Sequence, residues 1–300
     1  MLLGSLGRTK FRLICFLGCI LVCQAIEAQQ HHIPTFESQR NKVFAYNVGI
    51  GAAIGGIGAL INKKPNEKWW KTLAKGAGVG AAGGFINYQA KNATFLITKN
   101  EEVGYAWISK LGHSVGASMV ENAAMNRDFW ASWHISMGPV RFQIDRQNKY
   151  RPEVKLLPIA LAGTIAAATQ GKFDLKYTFA SGTPVFVSDS VGGANGGKLG
   201  RAFVNSIVIA PATVEDFYGI FAHEYVHTLQ YESFLGINHF YPKNKFLNNP
   251  KLNWIYWDTY FAVNGFLFLF IDDDIRCKYN SMIEREASHF AFREALPLCK

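Results

Sequence analysis

The chain has 300 residues, 49% of them hydrophobic and 18% charged. That composition supports one large core or two small ones and excludes a disordered or collagen-like polymer. The formal net charge is +9, but the surplus is spread thinly, with no dense Lys/Arg stretch interleaved with aromatics, so no nucleic-acid partner is expected.

At the N-terminus, Arg8, Lys10 and Arg12 precede an apolar run from Leu13 to Val22, followed by small residues at Ala25 and Ala28. Charged, apolar and cleavage regions in that order predict a secretory leader over residues 1–28 and an exported mature protein. The apolar run is too short to span a bilayer as a helix. Gly18-Cys19 offers the alternative of cleavage before a lipid-modified cysteine. Cys15, Cys19 and Cys23 fall within the leader, leaving Cys277 and Cys299, which an intervening helix holds apart; free thiols are expected there.

Residues 29–126 read as a glycine-repeat helical region. Ala45 to Ile61 is uncharged and carries Gly49, Gly51, Gly55, Gly56 and Gly58; a shorter copy follows with Gly76, Gly78, Gly80, Gly83 and Gly84. Small residues four apart let two helix backbones approach closely. Each glycine costs up to about 1 kcal/mol relative to alanine in a helix, so such arms need a packing partner. That partner is the remainder of the domain or, as the expected outside contact, a membrane or another chain. Lys63 to Lys75, with Trp69-Trp70, forms the polar bend between the arms.

The spacing of Val103, Trp107, Leu111 and Val115 predicts a helix over 101–126, closed by Asn126. Residues 127–300 are then expected to hold a strand-rich segment and a helical metal-site unit. A period of two runs through Trp130, Trp133, Ile135 and Met137, then through Val140, Phe142 and Ile144. Further strands are expected at Val154 to Ala168, Phe173 to Phe179, Val185 to Val187 and Phe203 to Ile209, with a glycine-rich loop from Val191 to Gly200. Tyr260 to Ile271 reads as a buried aromatic helix, and Asp272-Asp273-Asp274 as its solvated end.

The chemistry concentrates in His223-Glu224-Tyr225-Val226-His227, an HExxH pattern. Thr213 with Asp216 forms a capping-box pattern, and Val214, Phe217, Phe221 and Tyr225 supply an apolar stripe, so a helix is expected over about 214–233. One turn apart on that helix, His223 and His227 can converge on one Zn²⁺, while Glu224 lies to the side, where it can take a proton from metal-bound water. Gln230 and Ser233 stand where a metzincin requires Gly and His, which excludes that class. His239 is one candidate third ligand. A better one lies downstream, where Ser281 with Glu284 makes another capping-box pattern and Glu286, beside the small Ala287, can approach the first helix.

Over residues 203–293 this arrangement resembles the gluzincin metallopeptidases, particularly minimal forms in which a Glu from a following helix with an ExEA-like segment joins HExxH. The resemblance implies His223, His227 and Glu286 as zinc ligands, Glu224 as general base, and Phe203 to Ile209 as the strand bordering the substrate cleft. His289 is the candidate oxyanion donor, the alternative being an outer partner of the site. The expectation is an exported α+β zinc metallopeptidase acting on peptide or protein substrates. Two other readings stay open. The paired Glu224-x-x-His227 and Glu286-x-x-His289 fit half of a di-iron carboxylate site, and the glycine hairpin fits a membrane-associated structural or binding protein with a non-catalytic zinc.

Overall fold

Two long helices, α1 (Phe36–Ile61) and α2 (Trp69–Asn92), form the glycine hairpin, and its small residues explain how closely they lie. A Cβ placed on Gly51 or Gly80 would overlap the other residue's carbonyl oxygen, and one on Gly84 would overlap that of Asn47. The backbones are therefore in direct contact. After a short α3 (Phe95–Asn100) and a 3-10 turn at Val103–Tyr105 comes α4 (Ala106–Ala124), which covers the hairpin's second side. A side chain on Gly83 would meet the carbonyl of Gly116 and the side chain of Val120, and one on Gly58 would meet Ala124. This third helix supplies the packing that the glycine-poor propensity demands.

The computed structural model describes residues 36–189, 191, 199–241, 252–260 and 281–293. The expected leader, Cys277, Cys299, the aromatic run beyond Tyr260, the Asp272–Asp274 triplet and most of the Val191–Gly200 loop lie outside the described residues. The described elements establish an α+β fold.

The expected helix over 101–126 is shortened by the 3-10 turn, and its apolar stripe faces outward: Leu111 is 55% exposed and Val115 is 39% exposed. The buried face of α4 is polar instead, carrying Ser109, Lys110, His113, Ser118, Glu121 and Asn122. Asn126, at φ +54°, ends the run as expected.

Strands β1 (Ser132–Met137), β2 (Val140–Asp145) and β3 (Pro152–Leu156) form an antiparallel meander with Trp133 opposite Ile144 and Phe142 opposite Val154. Gly138 takes φ +56° at the first position of the two-residue β1–β2 turn, a conformation that glycine enters freely. The expected strand from Val154 to Ala168 ends at Leu156. Pro158 then opens α5 (Pro158–Ala168), whose alanines favour helix, and the Asp258 carboxylate accepts the exposed N–H groups of Ile159 and Ala160 at 2.9 and 2.8 Å. The expected strand from Phe173 to Phe179 is likewise only β4 (Lys172–Phe173). Asp174 accepts from the Tyr177 N–H and starts α6 (Leu175–Ser181), which Gly182 ends at φ +67°.

The second sheet has the order β4-β5-β7-β6, where β5 is Val185–Val187, β6 is Gly200–Phe203 and β7 is Ser206–Ile209. β5 and β7 run parallel, and β6 returns antiparallel as the edge strand. The single strand expected over Phe203–Ile209 is thus the end of one hairpin arm and the whole of the next. The buried β7 side chains Ile207 and Ile209 pack with Phe217, Phe221 and Tyr225 of α7 (Phe217–Glu232), which aims the HExxH helix across the sheet. Asp216, the residue before α7, sits at φ +60° with no side-chain cap, so the Thr213/Asp216 box does not form and the helix starts three residues later than expected. Helix α8 (Met282–Phe292) crosses beside α7, its N-terminus capped by Ser281 Oγ accepting from the N–H groups of Ile283 and Glu284.

Candidate metal centre

Helical spacing brings His223 and His227 together: their Nε2 atoms are 3.1 Å apart. The carboxylate that joins them is Glu284, whose Oε2 lies 3.1 Å from His223 Nε2 and 3.5 Å from His227 Nε2. These three ligand atoms lie within 4.8 Å of one another. Tetrahedral zinc with ligands at about 2.0–2.1 Å has ligand atoms about 3.3 Å apart, close to all three separations.

The protonation pattern argues for a cation at this point. Gln230 Nε2 donates to two groups that can only accept, Glu286 Oε2 at 2.7 Å and the Ile283 carbonyl at 2.8 Å, so its Oε1 must face His227. His227 Nδ1 donates to that Oε1 at 2.7 Å, which leaves Nε2 with a lone pair directed at the cluster. His223 Nδ1 pairs with Ser288 Oγ at 3.3 Å, a hydroxyl that can accept from Nδ1 when Nε2 carries the lone pair. Two imidazole lone pairs and a carboxylate facing one another repel unless a positive charge lies among them. In the metal-free protein a proton plays that part: burial opposes charging His227, yet the Glu284 carboxylate outweighs it and moves His227 up to about 9, and a metal ion would displace that proton. Burial also raises Glu284, but hydrogen bonds and charge from the two histidines hold it far below the usual carboxylate range.

Glu286, the expected ligand, is elsewhere. Two residues along an α-helix is about 200°, so Glu284 and Glu286 occupy nearly opposite faces of α8. Glu286 is fully buried against the hairpin, where its Oε1 accepts from Asn47 Nδ2 at 2.6 Å and from Lys91 Nζ at 3.1 Å. It reaches the centre only through Gln230. His289 shares that face, fully buried; burial and the charge of Arg293 press it down to about 4. It is not part of the His223–His227–Glu284 group, so the structure does not bring it to the site as an oxyanion donor. His239 donates from another part of the fold, its Nε2 lying 2.9 Å from Glu121 Oε1. With Glu286 and His289 turned to the hairpin, the two Glu-x-x-His motifs do not converge as a di-iron site needs.

Glu224 is nearly buried and turned toward the edge strand: a Cβ on Gly200 of β6 would touch its Cγ and Oε1. That space is open only because residue 200 has no side chain. Tyr231, one turn beyond His227, is mostly buried; burial raises its phenol, with the charges of Arg201, Glu224 and Glu284 acting on it. The sequence offers Glu284 only as a capping residue and Gln230 only as a departure from the metzincin pattern, and it gives no signal for the hairpin partners Asn47 and Lys91. Glu284 and Ser288, one turn apart, were the available signal, hidden because Glu284 also completes a capping-box pattern.

Comparison with protein-family models, with characterised proteins and with solved structures returned no match.

Proposed function

We propose that this chain hydrolyses peptide bonds with a zinc ion held by His223, His227 and Glu284. The observation that carries the reading is the convergence of two Nε2 atoms and one carboxylate oxygen with both imidazoles anchored through Nδ1. A zinc held there would supply an acidified water and polarise the scissile carbonyl. Glu224, adjacent to the triad and excluded from it, would take up a proton at its carboxylate and pass it to the leaving amine. Edge strand β6, against which Glu224 rests, offers backbone groups for an extended peptide to pair with. His223, His227 and Glu284 would hold the ion as three protein ligands, the number that catalytic rather than structural zinc sites use.

The test is zinc content measured beside cleavage of a broad peptide library. Glu224→Gln should keep about one zinc per chain and lose about 10²- to 10⁴-fold in rate. Equal rates in wild type and variant would remove Glu224 from the mechanism. A wild type that binds zinc and cleaves nothing would replace the hydrolase with a zinc-containing binding protein.

A further inference from the structure

The three-helix unit buries charged side chains beside its apolar and small-residue core and exposes large apolar ones. Its interior holds the ionisable side chains Lys91, Lys110 and Glu121 and meets Glu232 and Glu286, all buried. Its outer surface carries large apolar side chains between charged ends. Ile108, Leu111 and Val115 form an exposed stripe on α4, and Phe85 of α2 and Phe44 of α1 are exposed on the neighbouring helices, their rings edge to face at 6.3 Å. Residues 43–62 of α1, 76–90 of α2 and 111–120 of α4 contain no charged side chain. Glu37–Ile61 is long and apolar enough to cross a membrane, with mean hydropathy 1.6 and only 39% of that window buried. Most of the glycines face the neighbouring helices and do not account for this surface; Gly49 and Gly78 face open space.

One end of the apolar surface carries a different chemistry. Trp69 and Trp70 at the start of α2 are exposed, and so are Phe129 and Trp130 after α4. The Lys75–Asp128 ion pair, at 3.7 Å, ties these two aromatic pairs into one cluster. Around it stand Lys63, Lys64, Lys68, Lys71 and Lys75, with Lys71 Nζ 5.4 Å from the Trp70 ring centre. Indole rings and lysines beside an uncharged stripe match the headgroup level of a bilayer, and the lysines complement anionic lipid.

We infer that the outer face of α1, α2 and α4 lies against an anionic lipid bilayer, with the Trp69/Trp70/Phe129/Trp130 cluster among the headgroups and Phe44, Phe85, Ile108, Leu111 and Val115 in the acyl region. Uncovered apolar side chains of this size on a soluble monomer invite association, and the adjoining cations select lipid over a second copy, whose own lysines would repel.

The experiment is flotation of the purified chain with vesicles of phosphatidylcholine alone or mixed with phosphatidylglycerol. Wild type should float with the anionic vesicles, and its tryptophan emission should be quenched by brominated acyl chains. Leu111→Glu/Val115→Glu should abolish flotation. Lys71→Ala/Lys75→Ala should weaken it about twenty-five-fold, at about fivefold per cation, and remove much of its salt dependence. Both pairs are exposed, so unchanged circular dichroism and zinc content confirm that the variants fold. Flotation unaffected by either pair would overturn the inference. So would a wild type that ignores lipid and forms a dimer abolished by Leu111→Glu/Val115→Glu, which would assign the face to a second copy.

Discussion

Exchanging the two carboxylates of α8 separates ligand from support. Glu284→Gln removes the one anionic donor from the triad. Zinc affinity should therefore fall by more than the about 10- to 100-fold that loss of an outer partner causes. Folding should change little, since Glu284 is partly exposed and its hydrogen bonds go only to the two histidines. Glu286→Gln acts differently. It leaves the Lys91 ammonium, buried and 3.1 Å from the former carboxylate, with no anion. Breaking a buried pair from one side costs about 3–5 kcal/mol, a large part of the about 5–15 kcal/mol that holds a domain together. Lys91→Met/Glu286→Gln removes both charges and should recover most of that loss, because an apolar stem replaces the unpaired ammonium. Urea melts would give the stabilities, and competition with a fluorescent chelator the zinc affinities. The double variant should still bind one zinc. A folded double variant without zinc, beside a Glu284→Gln protein that retains it, would refute the assignment of Glu284 as ligand and return the role to Glu286.

Gln230→Leu should leave the triad atoms present but His227 free to rotate and change tautomer, lowering zinc affinity about 10- to 100-fold with the stoichiometry unchanged, as measured by chelator competition. Gly80→Ala should cost at least about 1–3 kcal/mol in thermal or urea melts, because its Cβ meets the Gly51 backbone; Gly78→Ala, with nothing within 4 Å, should stabilise by up to about 1 kcal/mol. His134 is buried beside Arg141, and burial followed by that positive charge lowers it to about 3. The unfolded chain takes up this proton near pH 6.5 and the native chain does not until about pH 3. His134 therefore contributes a loss of stability as pH falls through that window, up to about 1.4 kcal/mol per pH unit. Urea midpoints of His134→Gln compared with wild type from pH 7 to pH 4 should show the difference; parallel curves would mean that His134 titrates normally.

The parts legible in the sequence were those set by local geometry. His223 and His227 share a face because any helix puts i and i+4 together, and the glycine spacing states how near two backbones come whatever they belong to. Strands β1 and β2 were legible from the period of two alone, although the face they bury is the polar one, with Ser132, His134, Ser136 and Arg141 inward and Phe142 exposed. The misreadings share another cause, since each depended on a partner distant in sequence. Val154 to Ala168 looks extended until Asp258, about a hundred residues on, caps a helix at Pro158. On α4, apolar Leu111 and Val115 pointed toward a core that the fold instead fills with Lys110, His113 and Glu121, each facing a charge or hydroxyl from another element. Choosing Glu286 over Glu284 was a choice of which side of α8 meets α7, and helix periodicity fixes the angle between the two sides without saying which is inward.

The hairpin and the metal centre depend on each other through one chain of contacts. Close approach at Gly51, Gly80 and Gly84 brings Asn47 of α1 and Lys91 of α2 near enough to bond, with Lys91 Nζ donating to Asn47 Oδ1 at 2.9 Å. Together they hold Glu286; Glu286 fixes the Gln230 amide; and Gln230 sets the His227 ring. A side chain larger than hydrogen at Gly80 or Gly84 would widen the hairpin and draw Asn47 and Lys91 apart. Glu286 would then lose part of its neutralising set while still buried, and the Gln230 amide would lose the anion that dictates its orientation. The glycine repeat is thus a condition for the imidazole geometry at the far end of this chain of contacts. It follows that Gly84→Ala should lower zinc affinity as well as stability, although residue 84 touches none of the ligands. A Gly84→Ala protein that is destabilised yet binds zinc as wild type does would show that the relay through Gln230 tolerates movement of the hairpin.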